Sequence, residues 1–292
     1  MKTPIIQEES VAVLTPPRPS ARPPQPARPG GLKGLFTRHP LVAFFALAFA
    51  FSWWAVPMGE FLPFGPLFAA LTVLAVVQGR SGLAQLGRRM LRWRVGVRWY
   101  VLAIALPLGA TLAAIGLNLA LGAPVSALDD LDPWYLLIGL FFLRLINPLD
   151  GPMGEEAGWR GFALPRLQAN RSPLVASLIL GLIVAAWHLP LVFLPAEDLA
   201  PIFLLATVAI TFMYTWIYNH TGGSVLMTII AHSAQGVIAF SALGFTGPDD
   251  SRMVALLTAA ICVVTIGLLV FDRRSWRGRA PAESRIETRP TP

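Results

Sequence analysis

The sequence contains few charged residues and a single cysteine. Only 13% of its 292 residues are charged, whereas soluble proteins have roughly 25%, and 55% are hydrophobic. This composition argues against a soluble globular protein. Cys262, the one cysteine, excludes a disulfide framework or a cysteine-based metal site within one chain. The composition therefore predicts a membrane protein.

Motifs of covalent catalysis and of helical zinc sites are also missing. The sequence has no serine elbow of the GxSxG type, and Cys262 lies far in sequence from every histidine. HExxH is absent too, so a site without a cofactor is favoured, although two histidines and a carboxylate still allow a divalent metal. The net charge of +7 comes from arginines in short loops beside apolar segments, so no nucleic-acid partner is expected.

Eight apolar segments follow one another, each close to the ~20 residues that cross ~30 Å of hydrocarbon. They run about Pro40 to Gly59, Phe61 to Gln78, Trp99 to Gly122, Trp134 to Leu149, Ser172 to Pro195, Leu199 to Tyr218, Ser224 to Phe245 and Val254 to Phe271. We predict an all-α fold, a polytopic membrane bundle of about eight transmembrane helices. Residues 1–39 are predicted as a disordered Pro/Arg-rich tail, 40–271 as the transmembrane domain with its core at about 134–245, and 272–292 as a basic tail.

Loop charges test this number of spans, because lysine and arginine collect on the cytoplasmic side of a membrane. With the N-terminal tail inside, the even-numbered turns carry Arg80, Arg88, Arg89, Arg92, Arg94, Arg98, Arg160, Arg166, Arg171, Arg273, Arg274, Arg277 and Arg279. The opposite side carries Asp129, Asp130, Asp132, Glu197, Asp198, Asp249 and Asp250. The alternation predicts an integral, multi-pass cell-membrane protein with both termini in the cytoplasm.

Three other groups of side chains are assigned no chemistry. Apolar side chains recur at helical spacing opposite Arg88, Arg89 and Arg92, which predicts an amphipathic helix on the membrane surface; they are Leu83, Leu86, Met90 and Trp93. Arg144, near the inner end of the fourth span, is expected to extend to the headgroups. His220, at a cytoplasmic turn, is expected to be solvated.

Two adjacent glutamates and an arginine form an ionisable cluster between apolar segments. On a helix, Glu156 and Arg160 share a face and can form an ion pair, while Glu155 points roughly 100° away and stays unneutralised, as a general base requires. The alternative is an ordinary salt bridge beside the membrane. This cluster alone does not decide between the two interpretations.

Two histidines lie inside different predicted spans, His188 in the fifth and His232 in the seventh. A buried histidine is commonly a packing residue, but ionisable groups within a membrane pair with one another. A buried carboxylate can take a proton from water, and imidazoles can orient that water or stabilise the oxyanion of a cleaved amide. The set therefore indicates hydrolysis without a covalent intermediate.

These residues resemble the motifs of the CAAX-processing and bacteriocin-immunity (CPBP, Abi) family of intramembrane glutamic endopeptidases. Glu155, Glu156 and Arg160 match its EExxxR motif in full. A second motif, an aromatic residue shortly before a histidine, keeps His188 but has Val184 as the aromatic's replacement. The stretch from Tyr214 to Ser224 is similar to the family's span ending in Asn-x-Thr-Gly-x-Ser, and a fourth motif keeps His232 but has Gly236 where asparagine is expected.

The resemblance implies a helical membrane bundle with a conical, cytoplasm-facing active-site cavity. It also implies that Glu155 is the base, assisted by His188 and His232, and that an asparagine completes the oxyanion hole. Gly236 cannot supply that hydrogen bond, and its neighbour Gln235 is the substitute we consider. The expected catalytic set is Glu155, Glu156, Arg160, His188 and His232, with no cofactor.

Three functional hypotheses follow. The first is an endopeptidase that hydrolyses a peptide bond near the bilayer, with CAAX-type substrates carrying a hydrophobic or lipidated C-terminal region. The second is a catalytically weak or inactive immunity or peptide-binding membrane protein, favoured by the missing asparagine. The third is a proton-coupled transporter that uses Glu155 and the histidines as a relay.

The catalytic hypothesis also makes a geometric prediction. The stretch from Pro148 to Gly161 must turn inward and carry Glu155 towards the imidazoles. A Glu155 carboxylate more than ~10 Å from both rings would refute catalysis, because a general base acts directly or through one water.

Overall fold

All regular secondary structure in the described residues is helical. The computed structural model describes residues 31–131, 133–194, 200–238 and 243–282. Its helices are α1 (Gly31–Arg38), α2 (Pro40–Trp53), α3 (Gly65–Val77), α4 (Gly79–Met90), α5 (Val97–Ala120), α6 (Leu136–Ile146), α7 (Gly151–Gly158), α8 (Leu164–Leu167), α9 (Pro173–Trp187), α10 (Phe203–His220), α11 (Val225–Gly236), α12 (Pro248–Phe271) and α13 (Arg273–Arg277). A π-helical turn, Trp159–Ala163, joins α7 to α8. The predicted all-α fold class is confirmed.

Four stretches of these helices are long and apolar enough to cross a membrane. They are Pro40–Met58, Val97–Ala120, Leu136–Leu167 and Pro248–Phe271. Helices α3 and α9 are apolar but shorter. Length and composition therefore support a helical membrane protein, whereas the number of eight spans and the orientation of the termini stay predictions.

The two predicted spans that carry His188 and His232 end earlier in the structure than in the sequence analysis. Helix α9 ends at Trp187, so that His188 is its C-terminal cap. The cause is Pro190, because the residue before a proline disfavours helical backbone and the chain continues as a short 3-10 turn, Leu189–Val192. Helix α11 ends at Gly236, since glycine weakens a helix. Both histidines consequently lie near helix ends.

Helices lie within both stretches that were predicted as tails. Helix α1 lies within the stretch assigned to the N-terminal tail, so helical structure begins before Pro40. Residues 1–30 of the first predicted tail and 283–292 of the second lie outside the described residues. The same is true of three predicted loop acids, Asp132, Glu197 and Asp198.

Helix α4 is the predicted amphipathic helix, but one of its arginines is placed differently from the expectation. Leu86 is buried, and Leu83 and Met90 pack against the same apolar cluster. Arg89 is buried as well and donates to the Tyr218 hydroxyl at 2.6 Å. Although the sequence places Arg89 on the polar face of this helix, the hydroxyl partner on α10 allows its guanidinium to be buried.

The helix that carries the acidic cluster is packed closely through glycines. A Cβ atom added to Gly154 would lie 2.8 Å from the Phe64 Cα, and one added to Gly158 would lie 2.5 Å from the Pro66 carbonyl oxygen. Glycines four residues apart share one helix face and allow two backbones to approach. These two residues therefore hold α7 against the start of α3, which fixes the position of Glu155 and Glu156 within the protein.

Candidate active site

The five predicted catalytic residues surround one cavity in the described part of the chain. Its empty space is about 560 Å³, including the part open to the outside. Glu155, Glu156, Arg160, His188 and His232 all line it. Its other walls come from α9, α10, the end of α11 and α12, and include Val184, Phe203, Ala206, Thr207, Ile210, Thr211, Tyr214, Gln235, Val254, Leu257, Thr258 and Ile261. Residues from several separate helices and one π turn thus converge on a mainly apolar pocket, as binding sites commonly do.

Helix α7 presents the two glutamates to this cavity. Asp150 caps the helix, its carboxylate accepting from the Gly151 amide at 2.6 Å. Glu155 is 6% exposed and Glu156 is fully buried, which agrees with the predicted inward turn of this stretch. After Gly158 the helix widens into the π turn, a geometry frequent at functional sites.

Glu156 pairs with two cationic or potentially cationic side chains. Its Oε1 accepts from the Arg160 guanidinium at 2.9 Å and lies 3.1 Å from Nδ1 of His232. The ion pair predicted from the i, i+4 spacing is confirmed. The Arg160 Cζ also lies 5.0 Å from the centre of the Tyr214 ring, a cation–π contact. Glu156 consequently orients the imidazole of His232 as well as neutralising Arg160.

Glu155 faces His188. Its Oε2 lies 3.9 Å from Nε2 of His188, well within the ~10 Å limit set by the catalytic hypothesis. Nδ1 of His188 lies 2.9 Å from the Val184 carbonyl oxygen and must donate to it, because a carbonyl only accepts. In the neutral ring Nε2 is then an acceptor directed towards Glu155. The gap between the two groups is too long for a direct hydrogen bond, and one water molecule can contact both.

His232 completes the surroundings of Glu155. A Cβ atom on Gly151 would lie 3.1 Å from Oε1 of Glu155 and 3.7 Å from Nε2 of His232. The two side chains therefore meet beside the same glycine, where only a hydrogen atom fits. With Nδ1 held by Glu156, Nε2 of His232 is the nitrogen that faces the cavity side of Glu155.

The arrangement offers one base and two imidazoles around a space for water and a substrate carbonyl. The Glu155 carboxylate has no arginine against it in the described residues, whereas Glu156 has Arg160. No group of three His, Cys, Asp or Glu side chains that could hold a metal ion occurs within the described ranges. The carboxylate of Glu155 and the two imidazoles are groups suited to proton transfer.

The motif positions that depart from the family pattern also lie at this site. Val184, which stands where the motif has an aromatic residue, lines the cavity, and its backbone carbonyl contacts His188. Three aromatic rings surround that imidazole: Trp187, Phe203 and Phe61 have ring centres 4.7, 5.8 and 6.1 Å away. Gln235 lines the cavity, as the considered substitute for the missing asparagine must.

Sequence analysis missed the contribution of α10. Thr207, Thr211 and Tyr214 line the cavity, and the Tyr214 hydroxyl is buried with no hydrogen-bond partner among the described residues. The two threonine hydroxyls donate to backbone carbonyls four residues earlier. The sequence does contain a signal for this cavity-lining face of α10, because a polar side chain recurs about once per turn in an otherwise apolar helix.

His220 does not line the cavity, and its side chain is only partly exposed. Its Nε2 lies 3.0 Å from Oδ2 of Asp272, and its ring packs against Trp99 and Trp216. Burial would raise the pKa of Asp272, but hydrogen bonds from Trp216 and Ser275 and the nearby His220 lower this pKa below its ordinary value. The group joins the end of α10 to the start of α13.

Comparison with known proteins agrees with the motif analysis. Residues 133–238 match the family described as Type II CAAX prenyl endopeptidase Rce1-like. A CAAX prenyl protease 2 from Methanococcus maripaludis is 25% identical over 134 residues, which cover 41% of this chain and 46% of that protein. The chain therefore spans less than half the length of this curated relative. The matched segment contains every residue of the predicted catalytic set.

Proposed function

Because the resemblance to the CAAX-processing endopeptidases is confirmed over residues 133–238, we propose that this chain is a membrane endopeptidase in which Glu155 activates water. The observation that carries the proposal is the position of the Glu155 carboxylate. It is buried, forms no ion pair with Arg160, and lies between His188 and His232 at the wall of one cavity. A carboxylate so placed is suited to general-base catalysis.

The reaction is the hydrolysis of an amide by water. Glu155 takes one proton from water while the water oxygen bonds to the carbonyl carbon, and the carbonyl π electrons move to oxygen to form an oxyanion. When this intermediate collapses, the carbon–nitrogen bond breaks. The proton held by Glu155 passes to the departing nitrogen, which yields a carboxylic acid and an amine and restores the base.

The remaining residues position the attacking water and stabilise the oxyanion. His188, whose Nδ1 donates to the Val184 carbonyl, accepts a hydrogen bond from the water at Nε2 or donates to the oxyanion when protonated. His232 is held by Glu156, so that its Nε2 faces the reacting groups. Arg160 forms an ion pair with Glu156 and none with Glu155 among the described residues.

The substrate class follows from the resemblance and from the apolar cavity walls. We infer a peptide or protein whose cleaved region lies next to a hydrophobic or lipidated C-terminal segment, presented from the bilayer. Ala206, Ile210 and Leu257 are among the apolar side chains that such a segment would contact. No cofactor is part of the proposed reaction.

Cleavage of labelled peptides with hydrophobic or prenylated C-terminal regions by the purified protein in detergent tests this proposal. Glu155→Gln, which keeps the size of the side chain but removes the base, is expected to abolish cleavage and retain peptide affinity. A strong chelator should leave the wild-type rate unchanged. Cleavage by the Glu155→Gln variant at the wild-type rate would refute the base assignment, and loss of cleavage on chelation would replace the reaction by a metal-dependent one.

A second candidate function is supported by Gly236. Without a hydrogen-bond donor from residue 236, the same cavity could grip a hydrophobic peptide without cleaving it, as an immunity or binding protein does. A well-folded wild-type protein that binds the peptides with no turnover would support this candidate. Movement of a solute into sealed vesicles under a pH gradient would instead favour the transporter hypothesis.

A further inference from the structure

The guanidinium of Arg144 occupies the space beside Gly236. A Cβ atom added to that glycine would lie 2.8 Å from Nη2, 3.2 Å from Cζ and 3.4 Å from Nε of Arg144. The sequence analysis expected this arginine to extend to the headgroups; in the structure its side chain is 21% exposed and contacts α11 at Gly236. A side chain on residue 236 and this guanidinium could not both be accommodated without movement.

Gly236 lies one helical turn beyond His232 on the same face of α11. A side chain at residue 236 would therefore stand next to the imidazole that faces Glu155. In this protein that place is filled from another helix, α6, by a planar cation with several N–H donors. The space that the side chain of the expected asparagine would fill at residue 236 is thus filled by the Arg144 guanidinium.

Arg144 is held in place yet keeps unused donors. Its Nη1 lies 3.5 Å from Oδ2 of Asp150, the residue that caps the helix carrying Glu155. Its Nε is buried and has no hydrogen-bond partner among the described residues. A buried N–H group without a partner is costly, so this Nε is a donor still open to an acceptor.

We propose that Arg144 donates a hydrogen bond to the oxyanion formed on the substrate carbonyl, in the place of the asparagine that residue 236 lacks. This inference rests on the proposed endopeptidase function. A guanidinium forms charge-assisted hydrogen bonds, which are shorter and stronger than those of a neutral amide. The charge of the oxyanion develops only in the transition state, so the contact acts mainly on kcat.

Two other roles of Arg144 make different predictions. An arginine that only anchors α7 through Asp150 would give the same loss in Arg144→Met and in Asp150→Asn, because both variants break the same contact. An arginine that binds a substrate carboxylate would act on KM and would distinguish peptides with a free C-terminal carboxylate from amidated ones. Stabilisation of the oxyanion predicts neither behaviour.

The experiment compares Arg144→Met, which fills the same space without donors, with Arg144→Ala, Gly236→Asn and the double variant Arg144→Ala/Gly236→Asn. Both single Arg144 variants should lower kcat by about 10² to 10³ with KM within about threefold of wild type. Gly236→Asn alone should lose activity, because its Cβ meets the guanidinium. The double variant should recover at least about tenfold over Arg144→Ala, since an asparagine then has the space that the arginine leaves.

Asp150→Asn is the matched control, because asparagine keeps the helix cap and removes only the charge that pairs with Arg144. Because Asp150 only helps to hold Arg144, this variant should lower kcat by less than Arg144→Met does. Thermal unfolding in detergent is recorded for each variant, and Arg144→Met is the test case if Arg144→Ala does not fold.

The outcomes separate this inference from the proposed function. If the wild type cleaves the peptide and Arg144→Met has the same kcat, the inference is overturned and the endopeptidase function stands. A loss confined to KM, or one reproduced by Asp150→Asn, also overturns it. Absence of cleavage by folded wild-type protein that binds peptide refutes both.

Discussion

The Oε1 atom of Glu156 lies 3.1 Å from Nδ1 of His232, and the same oxygen accepts from Arg160 at 2.9 Å. One fully buried carboxylate oxygen therefore ties the end of α7 to α11. The second oxygen of Glu156 has no hydrogen-bond partner in the part of the chain that the structure describes. The geometry divides the two adjacent glutamates into a positioning residue, Glu156, and a residue available for proton transfer, Glu155.

Glu156→Gln is expected to destabilise the protein and to lower its activity. Removing one member of a buried ion pair leaves Arg160 with an uncompensated charge, at a cost of about 3–5 kcal/mol. Denaturant unfolding in mixed micelles measures the loss, with the exposed Glu60→Gln as the control. The double variant Glu156→Leu/Arg160→Met should regain much of the stability but not the activity. A Glu156→Gln variant as stable as wild type would contradict the assigned pair.

His188→Gln is expected to lower kcat by about 10² to 10⁴, the usual range for a group that assists proton transfer. The side chain lines the cavity and faces Glu155, so its loss removes the partner of the attacking water. Steady-state cleavage of a prenylated peptide measures the effect. His220→Gln is the matched control, because this histidine is also partly buried but pairs with Asp272 outside the cavity. Equal losses in both variants would assign His188 a structural role.

Gly158→Ala should destabilise the packing of α7 on α3. The new methyl group would stand 2.5 Å from both Cβ and the carbonyl oxygen of Pro66, so the helices must separate, at a cost of about 1–3 kcal/mol. Gly116→Ala on α5 is the control, since nothing lies within 4 Å of its added Cβ. The midpoints of thermal unfolding of the two variants are compared. Equal midpoints would show that close approach at Gly158 is not required.

The cluster around Asp272 makes the stability of the α10 end depend on pH. The pKa of this carboxyl is below 3.8 in the folded protein, so its ionised form stabilises the fold above pH 3.8. This contribution is lost as the pH falls through the lower folded-state pKa. Asp272→Asn should therefore be less stable than wild type at about pH 5 to 8, and the difference should shrink below pH 3.8. A difference that stays constant across this whole pH range would contradict the sign of the shift.

The predicted topology is tested by labelling single cysteines from outside intact cells. In a Cys262→Ser background, a cysteine at Ser126 should react with a membrane-impermeant maleimide, because this exposed residue lies in a turn predicted outside. A cysteine at Ser81, exposed in a turn predicted to be cytoplasmic, should react only after permeabilisation. The reverse pattern would place both termini outside.

Sequence alone was sufficient for relations within one helix. The spacing of Glu156 and Arg160 predicted their ion pair, because residues four apart on a helix are neighbours whatever surrounds them. Composition predicted apolar helices of membrane-spanning length, because the bilayer sets the length and apolarity of a span. The motif resemblance then predicted that Glu155 and two distant histidines share one site.

Tertiary structure decided what lies between helices. Arg144 fills the space beside Gly236 although the two are far apart in the sequence, and Arg89 is buried because the Tyr218 hydroxyl meets it from α10. Neither contact has a periodic signal in the sequence, because each depends on how two helices are placed by all the others. Helical spacing determines which side chains share a face, whereas the packing of that face against a neighbour determines what each side chain contacts.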